Sequence, residues 1–249
     1  MADAAVLAYR QWRLERRMFW RNPTAAFFSF ILPLLFLFLF GAIFSGDQET
    51  LNVIVPGILG MSVMSTTFNA LAMNITFLRE EGVLKRIHGT PMPPISSLGG
   101  VAANAVSNAA VQVVIVVLAG KLFFGIGWPK DWFELAVFCV VGVSTLAALG
   151  VAFSHVIPNF DAAPAYTNIV FLPVIFISGV FYDVDNAPQF LRDVAQVLPL
   201  THIIDGVSAA LVTGAPLADH AGDLAVVAAW GVVGAVFAVR GFSWQSKRD

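Results

Sequence analysis

Six apolar runs alternate with short polar links along the chain: Thr24–Phe44, Leu51–Leu78, Ile95–Phe124, Trp132–Ile157, Ala162–Phe181 and Ala221–Val239. Each is long enough for a bilayer-crossing helix, which takes about 20 residues. Pro33 predicts a kink in the first. Gly46–Thr50, Gly125–Asp131 and Pro158–Asp161 are turn-forming or acidic links. The pattern predicts an all-α integral membrane protein with six transmembrane helices. Residues 1–249 form one domain: 1–22 an interfacial helix, 24–239 a six-span core and 240–249 a tail.

Two stretches depart from the simple alternation. Arg79–Pro91 carries three bases and two acids between two long apolar runs. Such a stretch belongs in water or against protein, not in hydrocarbon. Val83, Leu84 and Ile87 share one side of a short amphipathic helix, with Glu81, Lys85 and His88 on other faces. Gly89, Pro91 and Pro94 stop that helix before the next span. A solvated loop and a docking helix for a cytosolic partner both fit. The second stretch, Tyr182–His220, is broken by Pro188, Pro199 and Pro216. Gln189–Val197 and Leu200–Val212 have helical apolar spacing, which fits either a re-entrant helical pair between spans 5 and 6 or an extracellular amphipathic loop.

Before the first span, Asp3–Arg21 interleaves Arg10, Arg13, Arg16, Arg17 and Arg21 with Trp12, Phe19 and Trp20. That mixture predicts a helix lying in the headgroup plane. The apolar run behind it is too long for the h-region of a signal peptide and is expected to be retained.

Composition agrees with this picture. Of 249 residues 58% are hydrophobic and 12% charged, with a mean hydropathy of +0.79. The charged share is roughly half that of soluble domains. Six spans put both termini on one side, together with eleven of the fourteen lysines and arginines. Only Lys121, Lys130 and Arg192 fall on the other side, so the termini and the 79–91 stretch are expected in the cytosol. No nucleic-acid partner is expected. The single cysteine, Cys139, forms no intrachain disulfide.

Inside the spans the polar groups are amides. Asn104, Asn108 and Gln112 form an i, i+4, i+8 stripe, and Thr67 and Asn74 share a face of span 2. They serve either as interhelical contacts or as a polar path. The chain has no H-E-x-x-H, no C-x-x-C and no nucleophile elbow, so neither a metal nor a catalytic site is expected. It also lacks G-x-x-x-x-G-K-[ST], so energised transport would draw on a separate chain.

The basic helix before span 1, the run Arg79-Glu80-Glu81-Gly82-Val83-Leu84-Lys85-Arg86-Ile87-His88-Gly89-Thr90-Pro91 and the segment Leu198–Gly206 together resemble the permease subunits of type 2 ABC transporters, a group of bacterial drug, polysaccharide and lipid exporters. The resemblance implies that Glu80, Glu81, Val83, Leu84, Lys85, Arg86 and Ile87 form a coupling helix seated in an ATPase subunit, with the N-terminal helix beside it. It implies an outer cap including Leu191, Pro199, Ile203, Ile204 and Asp205. It further implies two ATPase chains carrying ATP and Mg, no cofactor on this chain, and a second copy or sister permease in a bacterial inner membrane. The substrate path would run between protomers near Thr67, Phe68, Leu71, Asn74, Phe171 and Phe176, an apolar lining suited to an amphiphilic drug or lipid. The alternative is a non-transporting six-span protein, such as an assembly factor or intramembrane enzyme.

Overall fold

The computed structural model describes residues 2–21, 23–88 and 94–241. All regular structure among the described residues is helical: α1 (Ala2–Arg21), α2 (Pro23–Ile43), α3 (Gln48–Met64), α4 (Ala70–Glu80), α5 (Val83–His88), α6 (Pro94–Phe124), α7 (Trp132–Ser154), α8 (Ala163–Ile177), α9 (Gln189–Ala195), α10 (Pro199–Ser208) and α11 (Ala221–Gly241). Side-chain caps fix several starts. The Asp47 carboxylate accepts from Thr50 N and Thr50 Oγ1 ahead of α3. Asp131 accepts from Phe133 N and Glu134 N ahead of α7. Each satisfies amides that a helix start leaves without partners.

A π-helical turn, Ser65–Asn69, joins α3 to α4 as one helix of 33 residues, Gln48–Glu80. This helix, Gly99–Phe124, Trp132–Ser154 and Ala221–Arg240 are long and apolar enough to cross a bilayer. Ser29–Ile43 within α2 and the whole of α8 are shorter apolar helices. The six expected spans are therefore four continuous ones and two shorter apolar helices. α8 has 15 residues, about 22 Å at 1.5 Å per residue, against a hydrocarbon core of about 30 Å. It stops before the expected Phe181 because Gly179, at φ +75°, turns the chain back.

The Gln48–Glu80 helix is the axis of the bundle, with 83% of its most apolar window buried within the chain. Its Leu51, Ile54, Ile58 and Leu59 are the centre of the main core, together with Phe138, Leu146, Leu200 and Ile203. Between spanning helices such contacts act through close van der Waals packing, because lipid tails are as apolar as the side chains themselves. α11 lies at the edge, with only 11% of its window buried. It is fastened to α7 by Thr145 Oγ1, which donates to Val227 O at 3.0 Å. α9 and the α10 helix, extended to Thr213, meet at 89°. α10 then enters the bundle between α3, α7 and α11.

α1 does more than lie in a headgroup layer. One face packs along α6, where Trp12 Nε1 donates to Ser107 Oγ at 2.9 Å. Trp20 stacks on Phe30 of α2 with centroids 5.6 Å apart. Arg10, Arg13, Arg17 and Arg21 remain exposed on the other side.

Candidate coupling and translocation site

At the end of α4 the chain reverses through Gly82, whose φ of +66° is a conformation that a Cβ disfavours. The turn sets α5 directly beneath α4. Arg86 N donates to Gly82 O at 3.0 Å, and the Arg86 guanidinium donates to Glu81 O at 2.9 Å. Val83 faces inward, onto the cluster of Leu71, Ile75, Leu78, Val101, Ala105 and Ala147. Glu81, Lys85 and Arg86 are exposed. The side chains of Leu84 and Ile87, and residues Gly89–Pro91, lie outside the described residues. Residues 79–91 thus include a helix at the expected place, with three charged side chains turned outward.

Two residues expected in water point back into the chain instead. Arg79 is 3% exposed. Its guanidinium donates to Ser154 O at 3.0 Å, a carbonyl that α7 leaves free at its C-terminal end, and to Ile157 O at 2.6 Å in the α7–α8 link. A cation there also complements the negative end of the helix dipole. Glu80 accepts from Phe160 N in the α7–α8 link. Phe77 and Phe160 meet edge to face at 5.2 Å. The end of α4 is thereby tied to the α7–α8 link, and α5 hangs from that junction.

Of the six residues expected along the substrate path, three are buried inside the protomer. Thr67 is fully buried, its hydroxyl donating to Val63 O at 2.5 Å. Phe68 packs on Phe153, ring centroids 5.4 Å apart, and Leu71 lies under Val83. Their placement on a path between protomers is corrected: the central helix has too little free surface to line one. Asn74 is half-buried and hydrogen-bonds the Glu15 carboxyl of α1. Phe171 packs against the main core, whereas Phe176 is 57% exposed. Phe176 shares its exposure with Ile169 and Leu172, at i, i+3 and i+7 spacing, so α8 carries one of the open apolar faces.

Glu15 is a residue the sequence reading missed. It is 5% exposed. Burial pushes its carboxyl above the usual range, opposed by hydrogen bonds to Gln11 and Asn74. An acid among five arginines reads as a surface ion pair, and nothing in the chain before α6 signals that this face is covered.

The amide stripe is buried, with Gln112 fully so. Among the described residues, Asn69 Oδ1, Asn104 Oδ1, Asn108 Oδ1 and both polar atoms of Gln112 have no hydrogen-bond partner. These atoms therefore supply no interhelical bond within the chain. The residues expected in an outer cap differ in burial. Pro199, Ile203 and Ile204 are buried, Leu191 is half-buried and Asp205 is exposed. Ile204 packs on Gly60 of α3 and Ile203 on Gly142 of α7. Beside them opens a cavity of about 640 Å³, lined by Tyr182, Asp183, Asp185, Arg192, Asp193 and Asp205 among others.

Comparison with known proteins adds to this geometry. A putative transport permease, ycf38, of Porphyra purpurea is 27% identical over 207 residues, 78% of this chain and 71% of its own length. Nodulation protein J of Rhizobium leguminosarum bv. trifolii is 30% identical over 132 residues, 52% of this chain and 49% of its own. The inner membrane transport permease YadH of Escherichia coli K12 is 23% identical over 156 residues, 63% of this chain and 60% of its own. The sequence profile described as ABC-2 type transporter matches residues 5–212. With that match over most of its length, and helices of spanning length and apolarity, the chain belongs to the ABC-2 type transporter family as a membrane permease subunit.

Proposed function

We propose that this permease exports an amphiphilic drug-like or lipid substrate, driven by two ATPase chains that bind ATP and Mg and dock on α5. The observation that carries this reading is the joint between α5 and the bundle. α5 turns Lys85 and Arg86 outward, Glu81 is exposed in the turn before it, and Arg79 and Glu80 grip the α7–α8 link. A push on α5 moves the end of α4 and the end of α7 together, because interiors are close-packed and transmit displacement. Two copies, or this chain and a sister permease, enclose the path, with the exposed face of α8 toward it. An apolar face of Ile169, Leu172 and Phe176 accepts acyl or aromatic groups and offers nothing to a sugar or an ion. The excess of basic residues on the terminal side supports cytosolic termini and placement in a bacterial inner membrane.

The test is reconstitution of the permease with its ATPase partner in vesicles. The expected result is ATP-dependent movement of a fluorescent lipid analogue away from the nucleotide side. ATP hydrolysis without any such movement, or movement independent of ATP, contradicts the reading.

A further inference from the structure

We propose that the outer ends of α10 and α11 form a divalent transition-metal site from His202, Asp205 and Asp223, a clasp between the cap and the last helix. One ligand atom from each residue lies within 4.8 Å of the other two. His202 and Asp205 are three apart on α10 and share a face, while Asp223 stands in the first turn of α11. No short sequence spacing announces the set, because its third member comes from another helix.

The chemistry of His202 points to a cation. Its Nε2 is 2.8 Å from Gln196 O. A backbone carbonyl only accepts, so Nε2 carries the hydrogen. In the neutral ring Nδ1 is then a lone pair, and it faces Asp223 Oδ1 at 2.7 Å. Two acceptors at that distance need a positive centre between them. An imidazole whose far nitrogen donates to a backbone carbonyl is also the usual posture of a metal-bound histidine. His220 adds a second ring, its Nδ1 3.0 Å from Asp223 Oδ2.

Charge separates a metal from a proton. Among the described residues the ion pairs of Asp223 are with histidines alone, and Asp205 has none. Arg192 lines the cavity with Asp205 but forms no ion pair with it. One proton on His202 answers one carboxylate; a divalent ion answers both. The His202 and Asp223 side chains are only 12% and 25% exposed, so bulk water does not screen them fully, while Asp205 completes the set from the exposed side. Imidazole with carboxylates suits zinc and its neighbours. Binding displaces the proton from the His202–Asp223 contact and opens that contact slightly.

The experiment uses the untagged full-length permease in detergent, stripped with chelator and titrated with zinc chloride. Binding of about one zinc per chain is expected. Asp205→Asn and Asp223→Asn should each weaken it roughly tenfold or more, the loss usual even for outer-shell partners. Asp193→Asn, in the same cavity but outside the set, should bind as wild type. Zinc should also raise the unfolding temperature of wild type and Asp193→Asn but not of the two ligand variants, whose metal-free unfolding transitions report that they are folded. Absence of saturable binding overturns the proposal, as does equal binding by wild type and Asp223→Asn, and either result leaves the cluster a proton-bridged contact.

Discussion

The Arg79 guanidinium lies 2.6 Å from the carbonyl oxygen of Ile157, 78 residues further along the chain. With the bond to Ser154 O it closes the C-terminal end of α7 using a side chain from α4. The planar fork meets two carbonyls at once, which a lysine ammonium at the same reach does not reproduce.

Arg79→Ala should therefore destabilise the permease by about 3 kcal/mol, since a hydrogen bond to a charged group is worth about 1.5–3 kcal/mol and two are lost. Arg79→Lys should recover only part of that. Thermal unfolding of the purified protein checks the order. Equal stability of Lys and wild type would mean that the fork geometry is irrelevant.

Two glycines separate contact from mere presence. A Cβ at Gly57 would lie 2.1 Å from the Val180 carbonyl oxygen, a backbone atom that cannot rotate away. Gly57→Ala should cost about 1–3 kcal/mol by overpacking. Gly99, on α6, meets nothing within 4 Å. Gly99→Ala should stabilise by about 0.4–1 kcal/mol. Unfolding temperatures of the two variants should move in opposite directions.

Much of this fold is legible from periodicity. The starts of α3 and α7 follow from Asp47 and Asp131, and the break between α9 and α10 from Pro199. The short α8 is less so, because the turn at Gly179 interrupts an apolar run that continues through Val180 and Phe181. For the site, a short helix bearing outward charges was readable from the sequence. The burial of Arg79 was not, because its partners stand 75 and 78 residues away and are backbone carbonyls, which carry no side-chain signature. Phe68 and Leu71 were misplaced for a related reason. An all-apolar helix shows no preferred face, so its lipid, core and path sides look alike.

Stability should depend on pH through Glu15. Its folded carboxyl is raised by burial, so the folded state binds the proton more tightly than the unfolded one. That contribution is full below the unfolded value and falls as pH rises from there through the folded one. Glu15→Gln should remove this decline while keeping hydrogen bonding to Gln11 and Asn74. Unfolding scans across this acidic range check it, and an unchanged slope in the variant would show that Glu15 is not its source.

If α8 faces the path between two permeases, Phe176→Cys in a Cys139→Ser background should cross-link two copies under mild oxidation. Cys139 is the chain's sole cysteine, so the band reports only the new one. Cross-linking by Val239→Cys, at a position 81% exposed on α11, with none by Phe176→Cys would place the interface on α11 instead.

Docking of the ATPase on α5 is tested by reversing the helix's two exposed bases with Lys85→Glu and Arg86→Glu. Both side chains are exposed, where changes usually shift stability by no more than about 0.5 kcal/mol; Arg86 also bonds the Glu81 carbonyl of the adjoining turn, so the unfolding temperature of the variant is measured beside wild type. The measurement is ATPase copurified per permease, at equal membrane abundance. A loss of most of the bound ATPase is expected, with ATP-driven transport falling in parallel; wild-type copurification and transport by the double variant would show that the ATPase does not dock on α5.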